Sequence, residues 1–456
     1  MTSLKPIVNS NLKMKKRLFT FCLMAVTMTA SFGQKIDFEE FDLENGLHVI
    51  LHQDNKAPVV ITSVMYDVGG KDVGGTSENG TRTGFAHFFE HLLFEGTENI
   101  DRGEFMKIIP ANGGTFNANT SQDRTYYYDI FPSNKLELGL WLESERMLHP
   151  VIDQIGVDTQ KEVVKEEKRQ SYDSPYGKIL EVIGENVFDA HPYKAPNIGY
   201  SKDINDSTLE EFYAYFDKFY TPSNAVLVVA GDIDTEKTKT LVKKYFNDVK
   251  RRPKPVRKEY KEIPISQTQY ATAYDPNIQI PAIIAAYRLP GQATRDSYVL
   301  DMISTYLSGG KSSVLYKKIV DDQKQALQVA AVNLGQVDYN IFALFALPQG
   351  EVELDVILEE MDEEIAVMQN ELISERDYEK LMNQFENRFV NSNSSVEGIA
   401  SSLATYHLLY GDVNLINTQL ELYSSITREE IRDVAKKYLS PNQRVEIKYL
   451  PKKDEN

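Results

Sequence analysis

Two histidines and a glutamate that could hold and use a metal ion lie within residues 83–94, in a His-x-x-Glu-His motif. His87 and His91 are four positions apart, so on a helix both imidazoles lie on one face and can reach the same ion. Glu90 borders that face. The other positions are mostly Phe and Leu, which predicts a buried helix. Two imidazoles and a carboxylate in a buried helix need a partner, and a divalent metal would satisfy them.

Zinc is the metal expected for two imidazoles and a carboxylate with one coordination position left open. That position admits a water, whose pKa zinc lowers to about 7. A neighbouring carboxylate can take the proton of this water and pass it to a leaving amine, and we predict that Glu90 is this base. Taken alone, the motif leaves one alternative open, which is a pair of core histidines with ordinary hydrogen bonds.

The other histidines give weaker signals. Four of them have no ligand partner at a useful sequence spacing and are interpreted as ordinary surface or core residues: His48, His52, His149 and His407.

The whole stretch from residue 82 to 97, Arg-Thr-Gly-Phe-Ala-His-Phe-Phe-Glu-His-Leu-Leu-Phe-Glu-Gly-Thr, resembles the pitrilysin/insulinase family of zinc metallopeptidases. These enzymes are inverzincins, and the mitochondrial processing peptidase is one of them. The resemblance implies one zinc ion per chain and a third ligand, a glutamate on a separate downstream helix. The family's spacing assigns that role to Glu167, with Glu166, one residue away, as the alternative.

The resemblance also implies a strand that binds substrate. Residues 113–120, Gly-Gly-Thr-Phe-Asn-Ala-Asn-Thr, are similar to the family's edge strand, which pairs with the substrate backbone by β-augmentation. Asn117 and Ala118 are therefore candidate substrate-binding residues, although an ordinary strand explains the pattern equally well. The His191-Pro-Tyr193 sequence matches a family turn that supports the fold, so His191 is not predicted to be a ligand.

Two departures from the family pattern bear on activity. Gln160 stands where many members carry a glutamate, seven residues before the ligand. Active members also bring an Arg and a Tyr, seven apart, to the substrate carbonyl, whereas the matching positions here are Asp321 and Gln328. Because residues 317–336 contain neither Arg nor Tyr, we predict a homologous partner subunit that supplies the pair.

A duplicated segment predicts two copies of one folding unit. Thr208-Leu-Glu-Glu-Phe and Thr427-Arg-Glu-Glu-Ile each open with a helix capping box, and each helix leads into a Pro-Asn or Pro-Ser-Asn turn and an apolar strand. Strands and helices mix without regular alternation. The predicted fold is α+β, with two homologous α/β-sandwich domains whose mostly antiparallel sheets are covered by helices.

Composition and charge divide the chain further. Residues 1–33 combine a basic cluster, an apolar run too short to span a membrane, and small residues, which is the pattern of a signal peptide. We then predict a catalytic metal-binding domain over 34–250, a Pro- and Arg/Lys-rich linker over 251–264, and a second homologous domain over 265–456. Cys22, the one cysteine, lies in the apolar run, so the mature chain has no thiol chemistry and no disulfide.

The formal net charge of −17 argues against nucleic acid as a partner, because an acidic protein repels a phosphate backbone. The sequence therefore predicts an exported bacterial zinc metalloendopeptidase subunit, periplasmic or at the cell surface, that hydrolyses peptides or unfolded segments. It has no predicted integral membrane span. A weakly active or non-catalytic scaffold subunit of the same fold is the alternative.

Overall fold

Two β-sheets, one from each half of the chain, form the framework of the protein. The computed structural model describes residues 35–76 and 80–452, so the predicted signal peptide over 1–33 lies outside the described residues. The strands of the first half are β1 (Glu39–Asp42), β2 (His48–Gln53), β3 (Val59–Tyr66), β4 (Gly74–Thr76), β5 (Gly80–Arg82), β6 (Thr115–Thr120), β7 (Thr125–Pro132) and β8 (Ala225–Gly231). Those of the second half are β9 (Gln269–Asp275), β10 (Ala282–Pro290), β11 (Ala326–Asn333), β12 (Tyr339–Pro348) and β13 (Arg444–Pro451).

Helices separate most of these strands. In the first half they are α1 (Phe85–Leu92), α2 (Phe105–Ala111), α3 (Leu136–Leu148), α4 (Gln154–Asp173), α5 (Ile179–Val187), α6 (Ser201–Asp206), α7 (Leu209–Phe219) and α8 (Thr235–Phe246). In the second half they are α9 (Arg295–Ser308), α10 (Leu354–Asn370), α11 (Glu375–Ser392), α12 (Val396–Thr405), α13 (Leu415–Ser424) and α14 (Arg428–Tyr438). Two π-helical segments, Tyr316–Asp322 and Tyr406–Tyr410, and four short 3₁₀ turns complete the described part of the chain.

The two sheets share one connectivity, which confirms the predicted α+β fold of repeated sandwich units. The first sheet has the order β1-β2-β8-β3-β7-β6, and the second has the order β11-β12-β10-β13-β9. Each sheet contains one parallel pair, β2 with β8 and β9 with β13, and all its other pairs are antiparallel. β6 and β11 thus occupy equivalent edges of the two sheets.

Local sequence signals explain several of these elements. Asn45-Gly46 lies between β1 and β2, and Gly46 has a φ of +89°, a left-handed conformation that glycine adopts without strain. Both predicted capping boxes are formed: Thr208 and Glu211 begin α7, and Thr427 and Glu430 begin α14. Each box satisfies free backbone amides at its helix start.

Each half contributes a helix that packs on the sheet of the other half. α5, from the first half, packs on β10 and β13, while α12, from the second half, packs on β3 and β8. One apolar cluster accordingly joins Ile183 and Val187 of α5 to Ile284 and Ile447 of the second sheet. From Asp37 onwards the described chain forms one compact unit.

The segment predicted to be a linker, residues 251–264, contains neither helix nor strand. It is nevertheless tied to the surface that it crosses. Arg257 pairs with Asp67 and Asp72, and Glu262 accepts backbone hydrogen bonds from residues 189–191 and pairs with Arg288. The domain boundaries at 250 and 265 remain a prediction.

Candidate metal centre

Helix α1 is fixed at its start by a close contact between two glycines. Gly84, which precedes the helix, has a φ of +82°. A Cβ atom at this position would lie 2.7 Å from the Cα of Gly199, so the two backbones can approach only because neither residue carries a side chain. The first turn of α1 is therefore held against the loop that contains Gly199.

The apolar side of α1 packs into an aromatic cluster. The rings of Phe85 and Phe88 each lie 4.6 Å from the ring of Phe212 on α7. From the sheet, the Tyr127 hydroxyl donates a 3.0 Å hydrogen bond to the carbonyl of Phe89. These contacts bury one side of the helix and turn the histidine side towards α4.

Helix α4 carries the third predicted ligand and is anchored at the same loop. The side chain of Asp153 caps the helix by accepting from the Gly156 amide at 2.8 Å. Further along, Lys168 is buried and donates a 2.6 Å hydrogen bond to the carbonyl of Gly199. Because Gly199 also contacts Gly84, this bond sets α4 relative to α1 next to Glu167.

The structure brings His87, His91 and Glu167 together. His87 Nε2 lies 3.5 Å from Glu167 Oε1, and His91 Nε2 lies 3.3 Å from Glu167 Oε2. One donor atom from each residue lies within 4.8 Å of the other two. His87 is buried, and its Nδ1 has no hydrogen-bond partner among the described residues. The two histidines also hold the pKa of the Glu167 carboxyl well below its usual range.

The alternative ligand, Glu166, points elsewhere. Its carboxylate accepts hydrogen bonds from Arg169, at 2.7 and 2.9 Å, and from Gln170 at 2.9 Å. Hydrogen bonding to Arg169 lowers the pKa of Glu166 to about 2. The two adjacent glutamates thus occupy different sides of α4, and only Glu167 faces the histidines.

Glu90 is oriented by the edge strand. Thr120, the last residue of β6, donates a 2.6 Å hydrogen bond from Oγ1 to Glu90 Oε2. The Thr120 carbonyl in turn accepts from Asn197 Nδ2 at 2.6 Å. Sequence reasoning did not identify Thr120, because its distance of thirty residues from Glu90 gives no local signal.

A cleft of about 600 Å³ opens beside these residues. Glu90 and His91 line it together with Asn117 and Ala118 of β6, and its walls are mostly apolar: Phe94, Met106, Phe116 and Val163. β6 pairs with β7 on one side, and in the described residues no strand pairs with its other side. The predicted substrate strand is therefore a sheet edge facing the cleft.

The residues that depart from the family pattern, and the His191 turn that matches it, can be located in the structure. Gln160 lines the same cleft and donates a hydrogen bond to Glu95, whose carboxylate also accepts from Arg102. Asp321 pairs with Lys317 in the first π-helical segment, and Gln328 is exposed on β11. His191 accepts from the Tyr193 amide and lies 3.2 Å from Asp338, as a residue that supports the fold would.

The structure corrects the interpretation of two other histidines. His48 and His407 are not isolated: their rings stack in parallel with centroids 3.7 Å apart, and Glu40 lies beside them. Sequence spacing could not reveal this pair, since the residues come from opposite halves of the chain. His52 and His149 make ordinary single contacts, with the Asp37 carbonyl and Glu98 respectively.

A second cavity, of about 470 Å³, lies among Lys71, His191, Arg257 and Asp338. Two of its cations already have carboxylate partners: Lys71 lies 2.8 Å from Asp123, and Arg257 lies 2.6 Å from Asp72. We therefore regard the cleft beside Glu90 as the candidate site.

Comparison with known proteins matches two segments of the chain to family profiles. Residues 49–199 match the profile described as Insulinase (Peptidase family M16), and residues 206–385 match the one described as Peptidase M16 inactive domain. The zinc protease PqqE of Helicobacter pylori is 28% identical over 447 residues, which cover 96% of this chain and 99% of that protein.

Solved protease structures superpose on most of this chain. The crystal structure of a protease from Helicobacter pylori superposes with a TM-score of 0.85 at 26% identity, covering 91% of this chain and 100% of that one. The periplasmic protease PqqL from Escherichia coli shares the fold at 16% identity, with a TM-score of 0.74, and the match covers 91% of this chain but 48% of PqqL. No helix in the described residues is both long enough and apolar enough to cross a membrane.

Proposed function

Because the chain belongs to the insulinase family of zinc proteases, peptidase family M16, we propose that it is an exported zinc metalloendopeptidase subunit that hydrolyses peptides or unfolded polypeptide segments. The observation that carries the proposal is the convergence of His87, His91 and Glu167, beside a cleft that Glu90 and His91 line and that the edge strand β6 borders.

The donor set suits zinc. Two imidazole nitrogens and a carboxylate oxygen are zinc ligands of the kind found in catalytic sites that keep one position open. The two Nε2 atoms both face Glu167, and the buried Nδ1 of His87 has no partner among the described residues. We propose that these three residues hold one catalytic zinc ion per chain. When bound there, zinc would supply Lewis-acid chemistry to the hydrolysis.

Glu90 is the proposed general base. Thr120 occupies its Oε2 atom, which leaves Oε1 to accept a proton from the attacking water and to return it to the leaving amine. The hydrogen bond from Thr120 also restricts the carboxylate to one orientation, so less rotational freedom is lost when the reacting groups meet. Thr120 acts through Glu90 and is therefore a positioning residue.

An extended peptide is the proposed substrate. β6 is an edge strand whose outer side pairs with no strand of the described residues, and a peptide can add to such an edge as a further strand. Asn117 and Ala118 are the proposed contact residues, since they lie on this edge and line the cleft with Glu90. The apolar walls of the cleft would accept an apolar side chain of the peptide next to the scissile bond.

A homologous partner subunit completes the proposal. The positions that match the family's Arg and Tyr are Asp321 and Gln328. The 48% coverage of PqqL supports the idea that this chain corresponds in fold to one half of a larger protease. We therefore expect the isolated chain to have little peptidase activity, and a homologous subunit that carries the pair to restore it. Full activity of the isolated chain would exclude this part of the proposal.

The test of catalysis is the substitution Glu90→Gln in the reconstituted complex. We expect peptide cleavage to fall by at least about 100-fold, the scale of general acid–base catalysis, while the zinc content stays unchanged. Glu98→Gln, an exposed glutamate that lies outside the cleft, serves as the control. If the complex cleaves peptides equally well with Glu90→Gln, the alternative of a non-catalytic scaffold subunit replaces the proposed function.

A further inference from the structure

A second group of potential metal ligands lies outside the cleft. One donor atom from each of Glu40, His48 and His407 lies within 4.8 Å of the other two. Among the described residues, this group and the group of His87, His91 and Glu167 are the two that meet this distance with three donors. The donor set is the same in both: two imidazoles and one carboxylate.

Two of the ligands come from the first hairpin. Asp42 of β1 lies directly opposite His48 of β2, and Glu40 lies two residues before Asp42. Alternate residues of a strand share one face of the sheet, so all three side chains are on the same side. His48 Nε2 consequently lies 3.3 Å from Glu40 Oε2. Ligand atoms around a tetrahedral zinc are separated by about 3.3–3.6 Å, given bond lengths of about 2.0–2.2 Å.

The third ligand comes from the other half of the chain. α12 crosses the first sheet at β3 and β8, and it leads directly into the π-helical segment Tyr406–Tyr410. This segment carries His407, whose ring lies parallel to that of His48 with an interplanar angle of 4°. Short π-helical segments within helices often occur at functional sites.

The hydrogen bond of His48 determines which nitrogen is available. Nδ1 lies 2.8 Å from Asp42 Oδ1, and because an ionised carboxylate can only accept, Nδ1 carries the proton. A carboxylate bound to the second ring nitrogen is the usual outer partner of a metal-ligating histidine. Nε2 is buried without a hydrogen-bond partner among the described residues, and it faces the Glu40 carboxylate. Nε2 and the Glu40 carboxylate thus face each other at a distance that suits two ligands of one ion.

Charge favours a divalent ion at this point. Glu40 and Asp42 bring two carboxylates to the imidazoles, and an ion of charge +2 would balance the charge of these carboxylates. Lys254 is the cation near His407, but it is exposed and pairs with Asp67 at 3.5 Å. Two imidazole ligands select a transition metal such as zinc over magnesium or calcium, which prefer oxygen.

We propose that Glu40, His48 and His407 bind a second divalent transition-metal ion. The ion would join the first sheet to the π-helical segment that follows α12 in the other half. A metal lies in the plane of each imidazole that it binds, so one ring must turn out of the parallel stack on binding. The site is structural, because it is built from an exposed sheet edge and lies outside the cleft that contains Glu90.

The test uses the full chain with the first site disabled. After removal of metal with a chelator, the double variant His87→Asn/His91→Asn is titrated with Co²⁺ and followed by visible absorption, which reports its coordination geometry. We expect one equivalent of Co²⁺ to bind with a tetrahedral spectrum. Adding His407→Asn should abolish this spectrum, and adding Asp42→Asn should weaken binding by about 10–100-fold.

A matched control is available within the chain. His149 forms a pair with Glu98 at 3.4 Å but belongs to neither three-donor group, so His149→Asn should leave Co²⁺ binding unchanged. If His407→Asn impairs folding, Glu40→Gln replaces it, because the Glu40 side chain is 47% exposed and its substitution should be tolerated.

Two results would overturn the proposal. In the first, the His87→Asn/His91→Asn variant binds no Co²⁺, and a proton rather than a metal then lies between His48 and its carboxylates. In the second, Co²⁺ binds but neither His407→Asn nor Glu40→Gln affects it. Neither result bears on the proposed peptidase function, which depends on the other set of ligands.

Discussion

Thr120 Oγ1 lies 2.6 Å from Glu90 Oε2, so the last residue of the edge strand holds the candidate base by a direct hydrogen bond. The same strand presents the free edge on which we expect substrate to bind. A peptide that shifts β6 would therefore also move Glu90. The proposed binding of substrate and the orientation of the candidate base are therefore linked through one side chain.

Thr120→Val should lower kcat more than it raises KM. The substitution keeps the side-chain shape and removes the hydroxyl, and a hydrogen bond to a charged group contributes about 1.5–3 kcal/mol. We expect kcat to fall at least about tenfold, with zinc content unchanged. Thr120→Ser should restore most of the activity. Thr115→Val, at the opposite, exposed end of β6, is the control, and an equal loss there would refute a specific role for Thr120.

Glu167→Gln and Glu166→Gln form a matched pair at adjacent positions. The first removes a carboxylate that faces both histidines. Removing the outer hydrogen-bond partner of a metal ligand typically lowers metal affinity by about 10–100-fold. We expect zinc affinity to fall by more than this when the ligand itself is replaced. The second removes a surface contact with Arg169 and should leave metal content unchanged. Atomic absorption on the dialysed proteins measures both. Loss of zinc with Glu166→Gln alone would reverse the ligand assignment.

Acid stability should depend on Asp338, which joins the two halves through Lys71 and His191 at 3.1 and 3.2 Å. Burial raises the pKa of this carboxyl, but the His191 hydrogen bond and the Lys71 charge outweigh burial and lower the pKa to about 2, from an ordinary value of 3.8. Because the pKa is lower in the folded state, the stabilisation is present above about pH 4 and is lost as the pH falls towards 2.

The corresponding measurement compares Asp338→Asn with the unmodified protein by denaturant unfolding between pH 7 and 2. The variant should have a lower free energy of unfolding at neutral pH, and the difference should shrink as the pH approaches 2. A difference that is constant across this range would show that the carboxylate charge makes no contribution.

Val163→Trp should narrow the cleft without affecting the metal. Val163 lines the cleft from α4, and its exposed fraction of 44% allows a larger side chain to be accommodated without disturbing the core. We expect kcat/KM to fall more for peptides with a large apolar residue after the scissile bond than for peptides with alanine there. Zinc content and thermal unfolding should remain as in the unmodified protein. Equal losses for both peptides would contradict an apolar side-chain subsite.

Much of the fold could be predicted because its signals are local. The Asn45-Gly46 turn, the Thr208 and Thr427 capping boxes and the apolar strand that follows each box are all decided within a few residues, and each is formed in the structure. The repeat of these signals predicted two related units. The exchange of α5 and α12 between the sheets was not predictable, since an apolar helix face does not specify which sheet will cover it.

The same distinction between local signals and tertiary packing applies to the candidate site. By itself, the sequence determined that His87 and His91 share a helix face next to Glu90, because residues four apart in a helix are neighbours whatever surrounds them. Only the tertiary structure decided which glutamate of α4 faces them, which residue orients Glu90, and that His48 and His407 meet. Those contacts depend on how distant backbones pack, such as Gly84 on Gly199 and α12 across the first sheet, and periodicity along a chain carries no information about such packing.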